Sequence, residues 1–313
     1  MSSQAAERLV AGRWTLHTAL RRGPAGMIWR ATEVAGGRHL AVEELRLPEL
    51  ADPANPGQSA LWDRVAGETR TAASLDHPGL VGLDDVVVEG GVVYVATELV
   101  DAALTLDELV ARHGPLPVRR VAQLGLELLD ALEAAHAAGL AHLDLRPGNV
   151  LVTADGRARL AGVGLATLRR DQGAGSPAAD RVYHAPEQLR GDPAGPPADL
   201  WSLGTILWLA VEGEAPFTGG RDDAPPATVR AGPLAPALHA LLTRPPGGRP
   251  GISDTRRLLE PSAGVLHPPP ADAGAPAREG SPTGGWGAGL STAPPTGPGR
   301  PGTPWTRWCG GCC

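Results

Sequence analysis

No lysine occurs anywhere in these 313 residues; every basic side chain is an arginine. A role that needs a compact ammonium group is therefore closed to this chain. Cysteine is confined to three positions, Cys309, Cys312 and Cys313, all in the last five residues, which excludes a disulfide framework for the fold. A single Cys-x-x-Cys supplies too few ligands for a zinc centre, and we expect the three as exposed thiols. No apolar run approaches the roughly 18–20 residues of a membrane span, and residues 1–13 lack the apolar centre of a signal peptide. There is no basic excess either: the net charge of −6 argues against a nucleic-acid partner. Phe and Tyr are scarce, with one and two residues. The expectation is a cytoplasmic protein that engages neither nucleic acid nor membrane.

What is present is a chain of two patterns and a tail. Residues 16–20, 28–32 and 40–45 are short strand-like runs separated by glycine-containing turns. Residues 61–75 have helical spacing, with Leu61, Val65, Ala72 and Leu75 near one face. Residues 83–88 and 92–97 flank Glu89-Gly90-Gly91, a hairpin signal. Beyond Val100 the pattern turns helical, with helices expected over 106–113, 117–139 and 199–212 and a last pair within 235–259. From Pro261 the composition shifts to Pro, Gly, Ser, Thr and Ala, which predicts disorder. The division is an N-terminal extension over 1–11, a two-lobed domain over 12–260 (small lobe 12–98, large lobe 101–260), and a tail over 261–313. A five-strand lobe with one helix, followed by a helical lobe, is an α+β architecture.

Four motifs in fixed order give this pattern a family. His142-Leu143-Asp144-Leu145-Arg146-Pro147-Gly148-Asn149 resembles the catalytic loop of bacterial serine/threonine protein kinases. Ala185-Pro186-Glu187 resembles the end of their activation segment, and Asp199-Leu200-Trp201-Ser202-Leu203-Gly204 the start of their central large-lobe helix. Arg249-Pro250 resembles the arginine that pairs with Glu187. The Ala-, Gly-, Pro- and Arg-rich composition fits a GC-rich, actinobacterial type of host. The resemblance implies the bilobal kinase fold over roughly 12–261, with Asp144 in the place of the general base and Asn149 in that of a second metal ligand. It also implies an adenine cleft built from Ile28, Ala41, Thr97, Glu98, Val100 and Leu151. Plain core packing is the alternative for these largely apolar or backbone features.

The departures from the family pattern concern charge. Its Gly-rich loop corresponds to Arg21-Arg22-Gly23-Pro24-Ala25-Gly26, where Arg21 replaces the first glycine, and Gly23 and Gly26 remain. An ordinary β-turn is the competing reading. The lysine that grips ATP phosphates corresponds to Glu43, in Leu40-Ala41-Val42-Glu43. Arg30 and Arg38 are the cations left to stand in, and a planar guanidinium is a poor replacement for an ammonium. Glu68 corresponds to the partner of that lysine; it either faces Glu43 as a like charge or faces solvent. Gly162, in Leu160-Ala161-Gly162-Val163-Gly164, takes the place of the magnesium-binding aspartate, so no metal ligand set is expected. Asp155 is a turn former in Ala154-Asp155-Gly156. Leu143 replaces the arginine that would read a phosphorylated activation loop. Asp180 would bring a second carboxylate near Asp144, and Thr167 and Ser176 are the aliphatic hydroxyls of the activation segment. The stretch 217–249 is short for the family.

Three functions follow as expectations. The first is a catalytically impaired, regulatory or scaffolding pseudokinase whose partner is a protein, either an active kinase or a signalling module. The second is a weakly active ATP-dependent serine/threonine kinase, and the third a decayed gene product. No cofactor is expected; any ATP binding would be weak and independent of metal.

Overall fold

The computed structural model describes residues 7–23, 26–45, 59–170, 181–217 and 225–264. Among the described residues, the small lobe is one antiparallel sheet and one helix. Its strands are β1 (Arg8–Val10), β2 (Trp14–Arg22), β3 (Gly26–Glu33), β4 (His39–Leu45), β5 (Leu83–Glu89) and β6 (Val92–Glu98), in the order β1-β2-β3-β4-β6-β5. The hairpin between β5 and β6 turns on Gly90 and Gly91 at φ 57° and 75°, which glycine adopts without the Cβ penalty. Helix α1 (Ser59–Ala73) packs against β5.

The sheet has six strands where the sequence predicts five. The additional one, β1, lies inside the expected N-terminal extension. The reason is apolar area: Val10 closes a buried cluster with Trp14, Leu16, Ala31, Leu40, Val42, Tyr94 and Ala96 on one face of the sheet. Arg8 fixes the strand from outside. It pairs with Glu44 at 2.7 Å and lies 5.8 Å from the ring centres of both Trp29 and Tyr94.

The large lobe follows with β7 (Leu104–Thr105), α2 (Leu106–His113), α3 (Val118–Ala137), β8 (Val150–Val152), β9 (Ala158–Leu160), α4 (Ala166–Arg170), α5 (Pro186–Arg190), α6 (Pro196–Glu212), α7 (Ala235–Leu241) and α8 (Ile252–Ala263). Thr105 and Glu108 form a reciprocal cap that starts α2 where the periodicity places it. Helix α6 is apolar almost all round and runs through the middle of the lobe, with Leu203, Ile206 and Leu207 fully buried. No helix among the described residues is long and apolar enough to cross a membrane.

Helix α8 corrects the expected start of the tail. Pro261 lies inside it, and the helix ends on Gly264 at φ 76°. Proline near a helix end removes a single hydrogen bond, and burial of Leu259 and Ala263 holds the last turn in place. The rest of the expected tail, residues 265–313, lies outside the described residues.

Candidate active site

The catalytic-loop geometry is built from buried hydrogen bonds. Asp199, with no exposed surface, accepts from the amides of His142 (2.9 Å) and Leu143 (2.7 Å), and His136 Nε2 lies 2.7 Å from it. His142 is also fully buried: its Nε2 donates to the Ala161 carbonyl, and its Nδ1 accepts from the Asp144 amide. Leu143 between them has φ 56°, a left-handed conformation that costs a branched residue about 1 kcal/mol or more. Asn149 Nδ2 donates to the Asp144 carbonyl (2.7 Å) and to its Oδ2 (3.1 Å). Asp144 and Asn149 therefore stand together. Arg146, two residues on from Asp144, is a half-buried cation in the same loop that the sequence reading passed over.

Between the lobes lies a cleft of about 60 Å³. Ile28, Ala41, Thr97, Glu98, Val100, Leu151 and Asn149 all line it, together with Val95, Gly162 and Leu165. Asp144 and the two glycines are not among its lining residues. Gly23 and Gly26 close the hairpin between β2 and β3, with the Gly23 amide donating to the Gly26 carbonyl at 2.7 Å. A side chain at Gly26 would strike the Glu44 carbonyl, so this glycine serves the close approach of β3 and β4. Pro24 and Ala25 lie outside the described residues.

The charged groups fall differently from expectation. Arg30 is engaged with Asp101 at 2.6 Å, and Arg38 with Glu33 (2.8 Å) and Asp84 (2.9 Å); neither lines the cleft. Arg21 does, beside Glu43. Burial pulls the Arg21 guanidinium below its ordinary pKa, while the Glu108, Glu43 and Asp107 carboxylates oppose that effect. At the hinge, Arg159 of β9 grips both carboxylate oxygens of Glu98 at 2.6 and 2.7 Å and the Leu80 carbonyl at 2.6 Å. The Arg159 hydrogen bonds hold the Glu98 carboxyl below its usual range.

Glu68 meets neither Glu43 nor open solvent as its partner. Its carboxylate accepts from the Thr167 amide (3.1 Å) and hydroxyl (2.6 Å) at the start of α4. An anion there satisfies donors that the helix itself leaves orphaned. Gly164, at φ 81°, lets this segment approach α1; a side chain would collide with Ala72. Thr167 is 4% exposed, so as a modification site it is inaccessible while α4 is docked. Thr167→Val is expected to cost about 1.5–3 kcal/mol, the worth of a hydrogen bond to a charged group. Denaturant unfolding and faster amide exchange in α1 measure this loss. Asp180 and Ser176 lie outside the described residues. Asp155 accepts from Thr153 Oγ1 in the turn that ends on Gly156 at φ 83°, as the turn reading expects.

Comparison with known proteins matches this geometry. The protein kinase domain model matches residues 14–232. The serine/threonine-protein kinase PknA of Mycobacterium tuberculosis is 31% identical over 260 residues, covering 80% of this chain and 56% of PknA. The serine/threonine-protein kinase PkaA of Streptomyces coelicolor is 31% identical over 284 residues, covering 80% of this chain and 50% of PkaA. This chain thus spans about half the length of these curated relatives. Among solved structures, the kinase domain of Mycobacterium tuberculosis PknI superposes with a TM-score of 0.66 at 25% identity, covering 84% of this chain and 99% of that one.

Proposed function

Because this chain belongs to the protein kinase domain family, with actinobacterial serine/threonine kinases among its relatives, we propose that it is a catalytically impaired member, a pseudokinase that regulates or scaffolds a protein partner. The observation that carries the reading is Glu43, a 7% exposed carboxylate in the cleft at the position where the family places its phosphate-gripping lysine. Reversing a unit charge about 4 Å from a phosphate changes their interaction by several kcal/mol at an effective dielectric near 20.

Three further features support it. Magnesium lacks the carboxylate anchor of the family: glycine stands at 162, and Asn149, its amide nitrogen turned to Asp144, can offer only a neutral amide oxygen. Glu68 is held by Thr167 and is not available to position a cation in the cleft. The cleft volume of about 60 Å³ is well below the roughly 300–1,000 Å³ of ordinary ligand pockets. On this reading any ATP binding is weak and independent of metal. The partner is a protein in the cytoplasm, an active kinase or a signalling module that recognises the kinase-shaped exterior. Transfer of the γ-phosphate to serine or threonine at a low rate is the second reading. Arg21 in the cleft and the intact Asp144–Asn149 pair favour it.

Radiolabelled ATP transfer, with magnesium or manganese and beside Asp144→Ala, separates the two. We expect no incorporation above the Asp144→Ala control; incorporation that this substitution abolishes would overturn the pseudokinase reading.

A further inference from the structure

Strand register sets Arg21, Ile28, Glu43 and Val95 in one row: Arg21 pairs with Ile28, Ile28 with Glu43, and Glu43 with Val95. Cross-strand partners share a face of the sheet, and all four line the cleft. Within that row the Glu43 carboxylate reaches the end of the β2–β3 hairpin. A methyl group built on Gly23 would lie 2.5 Å from its Oε1. The carboxylate thus sits against the turn that corresponds to the family's phosphate loop.

Resting on the reading of this cleft as unfit for phosphate, we propose that Glu43 is a resident anion of the phosphate subsite. It makes the cleft selective for an uncharged or cationic purine nucleoside over the corresponding nucleotide. The walls that would hold a flat ring are untouched by this change: Ile28, Ala41, Val95 and Leu151 offer apolar contact. Each added phosphate brings negative charge toward a carboxylate that water screens little. Arg21 does not reverse the balance, because its charge already lies in the field of Glu43, Glu108 and Asp107. Glycine at 162 removes the carboxylate with which the family anchors a cation that would shield the phosphates. A ligand must widen the cleft to enter, but that cost falls on nucleoside and nucleotide alike, so charge decides their ratio.

Calorimetric titration of the full chain with adenosine, AMP, ATP and 5′-amino-5′-deoxyadenosine, without metal, tests the proposal. The expected order is amino-deoxyadenosine tightest, then adenosine, AMP and ATP, with adenosine at least about tenfold tighter than ATP. Glu43→Gln is expected to shrink that ratio and Glu43→Lys to invert it. The proposal fails if adenosine does not bind, if ATP binds as tightly as adenosine, or if the amino analogue gains nothing over adenosine. An unchanged ratio in folded Glu43→Gln also defeats it. The analogue series needs no variant, so an unstable substitution leaves the test intact. Failure here alongside silent phosphate transfer removes only the ligand preference; transfer abolished by Asp144→Ala removes the underlying pseudokinase reading.

Discussion

Arg249→Ala is expected to destabilise the large lobe by about 3–5 kcal/mol, the cost of breaking a buried ion pair from one side. The Arg249 guanidinium has no exposed surface and uses all its donors. Nη1 and Nη2 hold the two oxygens of Glu187 at 2.6 and 2.7 Å, and the remaining hydrogens reach the carbonyls of Pro197, Thr243 and Arg244. Its Cζ lies 5.1 Å from the Trp201 ring centre, and Trp201 stacks in turn on Phe217. Alanine leaves the Glu187 carboxylate buried without its counter-ion, and three carbonyls lose a donor. For a domain of this size each kcal/mol moves the melting midpoint by about 2–4 °C, so thermal unfolding should shift down by about 6–20 °C. Arg249→Lys is expected to recover part of the loss, since one ammonium cannot replace a fork that bonds both carboxylate oxygens and the carbonyls. A midpoint within about 2 °C of the parent would refute this account of how α5, α6 and the segment before α8 are joined.

Asp199→Asn is the second large effect, expected at about 3 kcal/mol. The carboxylate receives two backbone amides and lies in hydrogen-bonding reach of the His136 ring, and it is fully buried. The amide swap turns an acceptor into a donor, so one backbone N–H faces another donor with no water to relieve it. The consequence reaches the catalytic loop. Leu143 keeps its left-handed backbone because its amide is held by Asp199, and Asp144 is the next residue. Hydrogen exchange is the discriminating measurement. The amides of His142 and Leu143 should lose protection well before those of α3, which meets Asp199 through the His136 side chain and not through a backbone N–H. Uniform loss across the lobe would mean that Asp199 supports the whole core and has no special hold on the loop.

Much of the architecture was legible along the chain because it follows from short-range pattern. Helix α2 occupies the span its periodicity predicts, and the glycine pair at 90–91 marks a real hairpin. The pairing of Glu187 with Arg249 came from motif resemblance, since nothing local connects positions 62 residues apart. The candidate cations were misjudged. Arg21 appeared only as a lost glycine because the cleft that gives its face a meaning is formed with distant strands and the other lobe. The register of β2 against β3 shifts between Leu16 and Ala19 and again between Ala19 and Arg21. The two one-residue shifts cancel, so Arg21 ends on the face opposite Trp14 and Leu16, paired with Ile28 on the cleft side. Glu68 offered two readings in sequence and took a third, because its partner Thr167 is 99 residues away on another helix.

The sequence alone settled that no lysine ammonium exists in this chain and that position 162 carries no carboxylate, because the identity of a side-chain charge is a property of the residue itself. Where each charge points was settled only by folding: Arg21 beside Glu43, Arg30 and Arg38 away from the cleft, Glu68 against Thr167. Direction and partner depend on strand register and on packing between distant segments, which no local stretch of sequence encodes.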